Sequence, residues 1–279
     1  MNRYVPPPYA EGAVRLALGV EPRDAVQGSR ATSVRVTVEE HPVPLHQWRQ
    51  WTEGELLDAV LPSYARHESG RFARLLDAGT RTTQRLRLHD DGRRFVPRRF
   101  AVTIPDEAAV IAGEDAPVVA QRVVRPQLHP GAAYPWTGTG LRGRVTRDGA
   151  LVRWARLRAV LDGSDETLGW AHGDDRGEYL LPIGNPVAQV GFGDDPLSVV
   201  VEVGVREPAP IPPADDPLRT TVDPLWDLLE EDRDLTDPLD DADGTVTDGR
   251  AIPAGFLKFT RPAVPVAVGR VRSLNIDLP

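Results

Sequence analysis

The chain alternates between apolar and polar residues in many short runs that end at turn residues. Residues 34–39 alternate strictly, and a later run has an aliphatic residue at every second position from 197 to 205. A period of two predicts β-strands that bury one face. Further strands are predicted at residues 14–18, 71–76, 85–88 and 100–104.

Helices are predicted to be few and short. The 27 prolines and 25 glycines break up longer helices. Thr52 and Glu55 fit a capping box, and Pro62 would end that helix after about two turns. We therefore predict an all-β fold with one short helix.

The clearest unit covers residues 138–206. Asp148-Gly149 lies between two alternating runs and predicts a hairpin turn, because both residues tolerate positive φ. Residues of the predicted return strand alternate between its two faces. One face has Ala155, Leu157, Ala159 and Leu161, and the other has Trp154, Arg156 and Arg158. A second turn ends at Gly177, before a strand at residues 178–181.

The order of these elements resembles carboxypeptidase regulatory-like domains, which are transthyretin-like (prealbumin-like) β-sandwiches. The residues that match are Leu141, Gly143, Val145, Asp148, Gly149, Ala155, Leu157, Asp174, Gly177, Tyr179, Leu181 and the strand at 197–205. The match covers about a quarter of the chain. The resemblance implies a sandwich that acts as a spacer or interaction module and has no catalytic site.

A weak internal repeat indicates a second sandwich, because residues 67–72 resemble residues 174–179. The predicted organisation is two prealbumin- or Ig-like β-sandwich domains joined by a packed connector, followed by an acidic tether and a C-terminal strand segment. Whether the first sandwich duplicates the second stays open. The predicted boundaries are 10–104 for the first sandwich, 105–137 for the connector, 138–206 for the second sandwich, 207–249 for the linker and 250–279 for the C-terminal β segment.

Charge is distributed unevenly. Residues 207–249 contain 14 acidic residues and two arginines, a net charge of −12 that leaves +4 for the rest of a chain whose total is −8. Such a segment, rich in proline, predicts an extended linker except near residues 225–229. A nucleic-acid-binding protein would need a larger basic surplus beside such a tract.

Short apolar runs and the absence of a recognisable leader lead us to expect a cytoplasmic protein that does not span a membrane.

The sequence offers no convincing catalytic, metal or cofactor site. Residues 138–143 fit G-x-G-x-x-G, but a strand follows where a nucleotide site needs a helix. The chain has no cysteine and its six histidines are scattered, which disfavours a zinc site. The acidic string at 240–244 lacks the spacing of a calcium loop, and no G-x-S-x-G elbow occurs. We therefore expect no enzymatic activity, no metal and no cofactor.

Aromatic, arginine and terminal-strand residues are the candidates for contacts with a partner. They are Tyr134, Trp136, Trp154, Arg156, Arg158, Trp226, Leu274, Ile276 and Leu278. For Tyr134, Trp136 and Trp154, burial within the chain is the alternative. Residues 274–278 alternate at the end of the chain, and they would either complete its own sheet or add a strand to a neighbouring subunit.

These features predict a non-enzymatic structural or adaptor protein that contacts other protein subunits. Whether the chain forms a homo-oligomer stays open. The strings at residues 93–100 and 125–135 are similar to proteins of the phage-tail-like contractile injection systems of actinobacteria, and this resemblance implies a place at a cap or baseplate. The alternative is a β-sandwich module that binds carbohydrate or a cell-envelope polymer, which exposed aromatic residues in the connector would favour.

Overall fold

The chain folds into β-sheets. The computed structural model describes residues 16–39, 65–75, 80–106, 108–109, 122–184, 196–207, 225, 227–237 and 239–279. Nineteen strands and a four-residue helix lie in these ranges, which confirms the all-β prediction. The helix predicted after Thr52 lies outside the described residues, as does Trp226.

The strands are distributed over both halves of the chain. In the first half they are β1 (Leu16–Val20), β2 (Arg23–Asp24), β3 (Arg35–Val38), β4 (Ala65–Arg66), β5 (Phe72–Leu75), β6 (Thr83–His89), β7 (Arg98–Thr103), β8 (Val123–Val124) and β9 (Gln127–Leu128). In the second half they are β10 (Gly140–Arg147), β11 (Ala150–Leu151), β12 (Arg156–Leu161), β13 (Thr167–His172), β14 (Glu178–Pro182), β15 (Leu197–Arg206), β16 (Glu230–Asp234), β17 (Phe256–Val266), β18 (Val271–Ser273) and β19 (Ile276–Leu278), with helix α1 (Thr245–Asp248) after β16.

Two four-stranded sheets form the N-terminal sandwich. Their strand orders are β4-β5-β1-β8 and β16-β7-β6-β3. Leu18 and Phe72 from the first sheet share one buried cluster with Val36, Leu86 and Phe100 from the second. Side chains of β1, β5 and β8 in one sheet therefore meet those of β3, β6 and β7 in the other in a common core.

The connector contributes to this core. β8 pairs in parallel with β1, and β9 pairs in parallel with β2. Val124, Leu128 and Tyr134 belong to the same buried cluster as Leu18. The described part of the connector thus packs into the N-terminal sandwich, in keeping with its apolar composition.

The C-terminal sandwich also contains two sheets. One has the order β11-β10-β14, and β18 and β19 also pair with β10; the other has the order β13-β12-β15-β17. The aliphatic residues at alternate positions from Leu197 to Val205 are all buried in its core. The predicted strand at residues 197–205 is confirmed.

The Asp148-Gly149 hairpin is present, but its return strand differs from the prediction. Asp148 and Gly149 have φ angles of 50° and 77°, as a tight hairpin turn requires. β11 has only two residues, and the chain then turns at Trp154, with φ of 60°. β12 lies in the opposite sheet, where it pairs with β13 and β15. Alternation predicts the buried face of a strand but does not specify its sheet.

The acidic segment is not a free linker where the structure describes it, and that expectation is wrong for β16. β16 pairs in parallel with β7 over five residues, at the edge of the N-terminal sheet. Glu231 forms ion pairs with arginines of both sandwiches, and Leu228 and Leu235 are buried. Arginines on the neighbouring strands offset the repulsion between acidic residues that favours an extended chain.

The C-terminal segment completes the C-terminal sandwich. β17 pairs with β15 along nearly its whole length, and β18 and β19 pair in parallel with β10. A Cβ atom at Gly143 would lie 1.9 Å from the carbonyl oxygen of Leu274, so only glycine permits this approach. Of the two alternatives for residues 274–278, the structure has the strand on its own sheet.

A buried charge cluster as the candidate functional site

Five ionisable side chains meet where the two sandwiches touch. Arg98 is the first residue of β7, His129 follows β9, Arg156 and His172 lie opposite each other on β12 and β13, and Glu231 comes from β16. Arg98 is 1% exposed and His172 is completely buried. We call these five residues the interface cluster, and the contact region between the sandwiches the joint.

Arg98 uses all five N–H donors of its guanidinium. Nε donates to Oε1 of Glu231 at 3.0 Å, and Nη2 donates to Oε2 at 2.8 Å. Nη1 donates to the carbonyl oxygens of Gln127 and Thr247, and Nη2 also donates to that of Val246. A fully buried guanidinium is tolerated when each donor has an acceptor, as here.

Glu231 is the single carboxylate shared by two buried arginines. Oε1 also accepts a hydrogen bond from Nη2 of Arg156 at 3.1 Å. Burial alone would raise the pKa of Glu231, but Arg98 and Arg156 together hold it below its ordinary value. Burial lowers the pKa of Arg156 to about 10, against the opposing effect of Glu231. The ion pairs thus bridge the joint, since Arg156 belongs to one sandwich and Glu231 to the other.

The two histidines stack on each other. Their ring centroids are 4.0 Å apart and their planes differ by 27°. Nε2 of His129 donates to the carbonyl of Asp248, and Nε2 of His172 donates to that of Gly249, both at 2.9 Å. Burial, with help from Arg98 and Arg156, lowers the pKa of His129 to about 3 and that of His172 well below its ordinary value. Both rings are therefore neutral at pH 7.

One turn of chain supplies four consecutive acceptors to the cluster. The carbonyls of Val246 and Thr247 bind Arg98, and those of Asp248 and Gly249 bind the two histidines. The Val246 carbonyl also accepts from the backbone N–H of the capping residue Gly249, and the next three are carbonyls that a helix end leaves without intrahelical partners. Gly249 has φ of 66°, and a Cβ there would lie 2.7 Å from Cε1 of His172. Glycine lets the turn close onto the stacked rings.

Further contacts cross the joint around the cluster. Nη2 of Arg93 lies 2.7 Å from Asp174 and 2.6 Å from Asp175. Trp154 packs with Val96 and Leu228 in a small buried group. The joint therefore has a buried polar centre, with the apolar group around Trp154 and the ion pairs of Arg93 beside it.

The residue types of the cluster occur in catalytic and metal sites, but this arrangement does not leave them reachable. Each Nε2 that could bind a metal donates to a carbonyl. In the described ranges, no group of three or more His, Cys, Asp or Glu residues could hold a metal ion. Three described cavities are lined by other residues. The cluster is arranged to hold two surfaces together.

The aromatic and arginine candidates lie mostly inside the molecule. Tyr134 is 2% exposed and donates from its hydroxyl to Asp24 at 2.7 Å. Trp136 is partly buried against the N-terminal core and donates to the carbonyl of Thr139. Trp154 is 5% exposed, and its Nε1 donates to Asp227 at 2.8 Å. For these aromatic residues, burial within the chain is the alternative that the structure has.

Arg156 and Arg158 differ although both belong to β12. Arg156 is 2% exposed and belongs to the interface cluster, so the expected surface role is wrong for it. Its face of β12 is covered by the N-terminal sandwich, which alternation within one strand does not reveal. Arg158 is partly exposed and forms an ion pair with Glu202 at 3.2 Å.

The terminal-strand candidates pack into the chain's own core. Ile276 is fully buried, Leu278 is 2% exposed, and Leu274 is partly buried against the same cluster. Their apolar faces serve the C-terminal sandwich and are not offered to a partner in this structure.

Sequence reasoning missed Arg98, His129, His172 and Glu231. A weak signal existed at Arg98, which shares its strand face with Phe100 and Val102, both fully buried. A charged residue at a core-facing position needs a buried partner. Nothing in the sequence pointed to Glu231 as that partner, because it lies 133 residues away.

Comparisons with known proteins give no family. No protein-family model matches the chain, and no curated protein matches it. The solved structures that resemble it include the Bacillus anthracis TIE protein, at 7% identity and a TM-score of 0.23, covering 95% of this chain but 34% of that one. They also include the shaft pilin SpaA of Lactobacillus rhamnosus GG, at 10% identity and a TM-score of 0.21, covering 71% of this chain and 90% of the pilin. Likenesses this small do not bear on function.

Among the described residues, no helix is long and apolar enough to cross a membrane.

Proposed function

We propose that this chain is a non-enzymatic structural component that holds two β-sandwiches in one fixed arrangement within a larger protein assembly. The observation that carries the proposal is the interface cluster. Its five ionisable groups come from separate parts of the chain and bind one another across the joint. Buried polar networks of this kind favour one geometry over its alternatives, more than they add stability.

A rigid joint suits a subunit that transmits position or force. Ordinary contacts between domains are modest in area and leave the domains free to move. Here Arg98 and Glu231 form a two-point ion pair, and Arg156 ties the second sandwich to the same carboxylate. Rotation of one sandwich relative to the other would leave at least one buried charge without its ion-pair partner, which is strongly unfavourable.

The assembly that we propose is a phage-tail-like contractile injection system, with this chain at its cap or baseplate and made in the cytoplasm. The two strings that carry this resemblance, at residues 93–100 and 125–135, also supply part of the joint. Arg98 comes from the first string, and Gln127 and His129 come from the second. Under this proposal, both strings contribute to the joint, which fixes the arrangement of the two sandwiches.

The test is purification of a tagged chain, at its native level, from the organism that encodes it. We expect the chain to sediment with particles in which negative-stain electron microscopy shows sheathed tubes, with the tag at one end. If the particles had no sheath or tube, the proposed structural role would stand, but the proposed place in a contractile injection system would be wrong. Sedimentation only as a free monomer would contradict both.

Exposed aromatic residues in the connector would favour the carbohydrate-binding alternative. Tyr134 is buried, and Trp136 is partly buried and donates its indole N–H to the chain's own backbone. The connector therefore gives this alternative little support.

A further inference from the structure

The histidine pair has very little negative charge near it. The charged groups that face it are Arg98 from β7, Arg156 from β12 and Glu231 from β16. The carboxylate of Asp248, on α1, accepts a hydrogen bond from Gln127 and lies 3.7 Å from Arg250. With both rings neutral, the interface cluster already has a net charge of +1. Protonation of both rings would raise it to +3 in a space that excludes water.

The hydrogen bonds of His129 make it the first ring to accept a proton. Nε2 donates to the carbonyl of Asp248, and Nδ1 lies 3.3 Å from the carbonyl of Trp170. A neutral imidazole has one N–H, so only one of these two carbonyls receives a hydrogen bond. Nδ1 of His172, in contrast, is buried without a partner.

We propose that the interface cluster is a proton-sensitive lock, which keeps the sandwiches docked while both histidines are neutral and opens with the uptake of two protons in mild acid. Opening exposes the rings to water, where each can be charged without facing two buried arginines. The inference concerns the joint alone and does not depend on the assembly to which the chain belongs.

The direction of the effect follows from the lowered histidine pKa values. Both lie below the ordinary value of about 6.5. The closed state therefore has its full stability above pH 6.5 and loses it as the pH falls towards the pKa values of the closed state. Once the pH is well below 6.5, each histidine shifts the equilibrium about tenfold per pH unit and two shift it about a hundredfold; near pH 6.5 the change per pH unit is smaller.

The joint can open while the cores stay folded. The C-terminal hydrophobic cluster lies within its own sandwich, and the N-terminal cluster contains one residue from the other sandwich, Leu180 of β14. Opening of the joint would break the interface cluster, the Arg93 ion pairs, the packing of Trp154 on Val96 and the contact of Leu180 with the N-terminal core.

The lack of native cysteine makes the test direct. Val96→Cys places a thiol in the joint, where Val96 is 1% exposed. Val201→Cys places one in the C-terminal core, where Val201 is fully buried. The labelling rate of each full-length variant with a dithiodipyridine reagent, divided by the rate of an unstructured cysteine peptide at the same pH, gives its opening equilibrium.

We expect the opening equilibrium at Val96→Cys to rise about 250-fold in all between pH 6.5 and 5. The same variant carrying His129→Gln or His172→Gln should rise about 16-fold in all, and the double substitution should show little change. Glutamine keeps a donor near the Nε2 position and cannot be protonated in this range. The control is His67→Gln, an exposed histidine outside the joint, which should keep the full rise of the otherwise native protein.

Two results would overturn the proposal. The first is an opening equilibrium at Val96→Cys that does not change with pH in the otherwise native protein. This measurement needs no histidine substitution, so it decides even if the double variant fails to fold. The second is labelling of Val96→Cys no faster than Val201→Cys, because the joint would then open only when the whole protein unfolds.

Discussion

The interiors of the two sandwiches and the joint between them are all largely buried but chemically opposite. The C-terminal core is almost entirely aliphatic, with Leu157, Val199, Val201 and Val203 fully buried. The joint is centred on two arginines and two histidines that are at most 2% exposed, together with Glu231, whose side chain is 10% exposed. Apolar packing tolerates small shifts in geometry, whereas a buried ion pair depends on its geometry and on its partner. The cores therefore provide stability, and the joint selects one arrangement.

The largest effect is expected from removal of the terminal strand, which tests the core. Deletion of residues 270–279 removes Ile276 and Leu278, which are 0% and 2% exposed. Burial of two such side chains contributes about 4 kcal/mol, so the thermal unfolding midpoint should fall by about 10 °C or more. Asp277→Asn, on the exposed face of the same strand, is the control and should have little effect. An unchanged midpoint with loss of a partner would mean that the strand serves the partner instead.

The joint should respond most strongly to loss of its shared carboxylate. Glu231→Gln leaves Arg98 and Arg156 buried without a counter-charge, which costs about 3–5 kcal/mol. Urea denaturation measures this loss. Glu202→Gln is the matched control, because its ion pair with Arg158 is partly exposed and should contribute less than about 1 kcal/mol. Similar losses in the two variants would show that the interface cluster is no more than a surface network.

A smaller effect is expected from a methyl group in the turn that closes on the histidines. Gly249→Ala adds a Cβ against His172 at a residue with φ of 66°, and we expect a loss of about 2–3 kcal/mol. Gly149→Ala has the same type of backbone strain, at φ of 77°, with nothing within 4 Å of the added atom, and should lose about 1 kcal/mol. Urea denaturation of the two variants distinguishes the free-energy cost of the contact with His172 from the cost of backbone strain. Equal losses would mean that the turn has room to move away from the rings.

The strands could be predicted from the sequence because the alternation of apolar and polar residues within a strand depends only on which of its two faces is buried. Residues 34–39 and 197–205 alternate, and both regions form strands with a buried face. Asp148-Gly149 forms a tight turn because its requirement for positive φ is local. Neither feature depends on where the rest of the chain lies.

What could not be predicted depends on contacts between distant segments. Arg156 looks like a surface residue within β12 and is buried only because a second sandwich covers it. Glu231 looks like one acid among many and becomes distinct only when β16 lies beside Arg98. The acidic composition of residues 207–249 indicated repulsion, but it did not reveal the arginines on β6 and β7 that offset it.

The parallel pairing of β16 with β7 also sets an order of events on the ribosome. β7 is complete by residue 103, but its neighbour at 230–234 is translated about 130 residues later, on the order of ten seconds at usual rates of synthesis. During that interval the nascent chain presents β7 as an open edge, a state that invites pairing with other chains. Arg98 and Arg99 stand at the start of this edge and keep it charged. Charged side chains on an exposed edge strand disfavour such pairing.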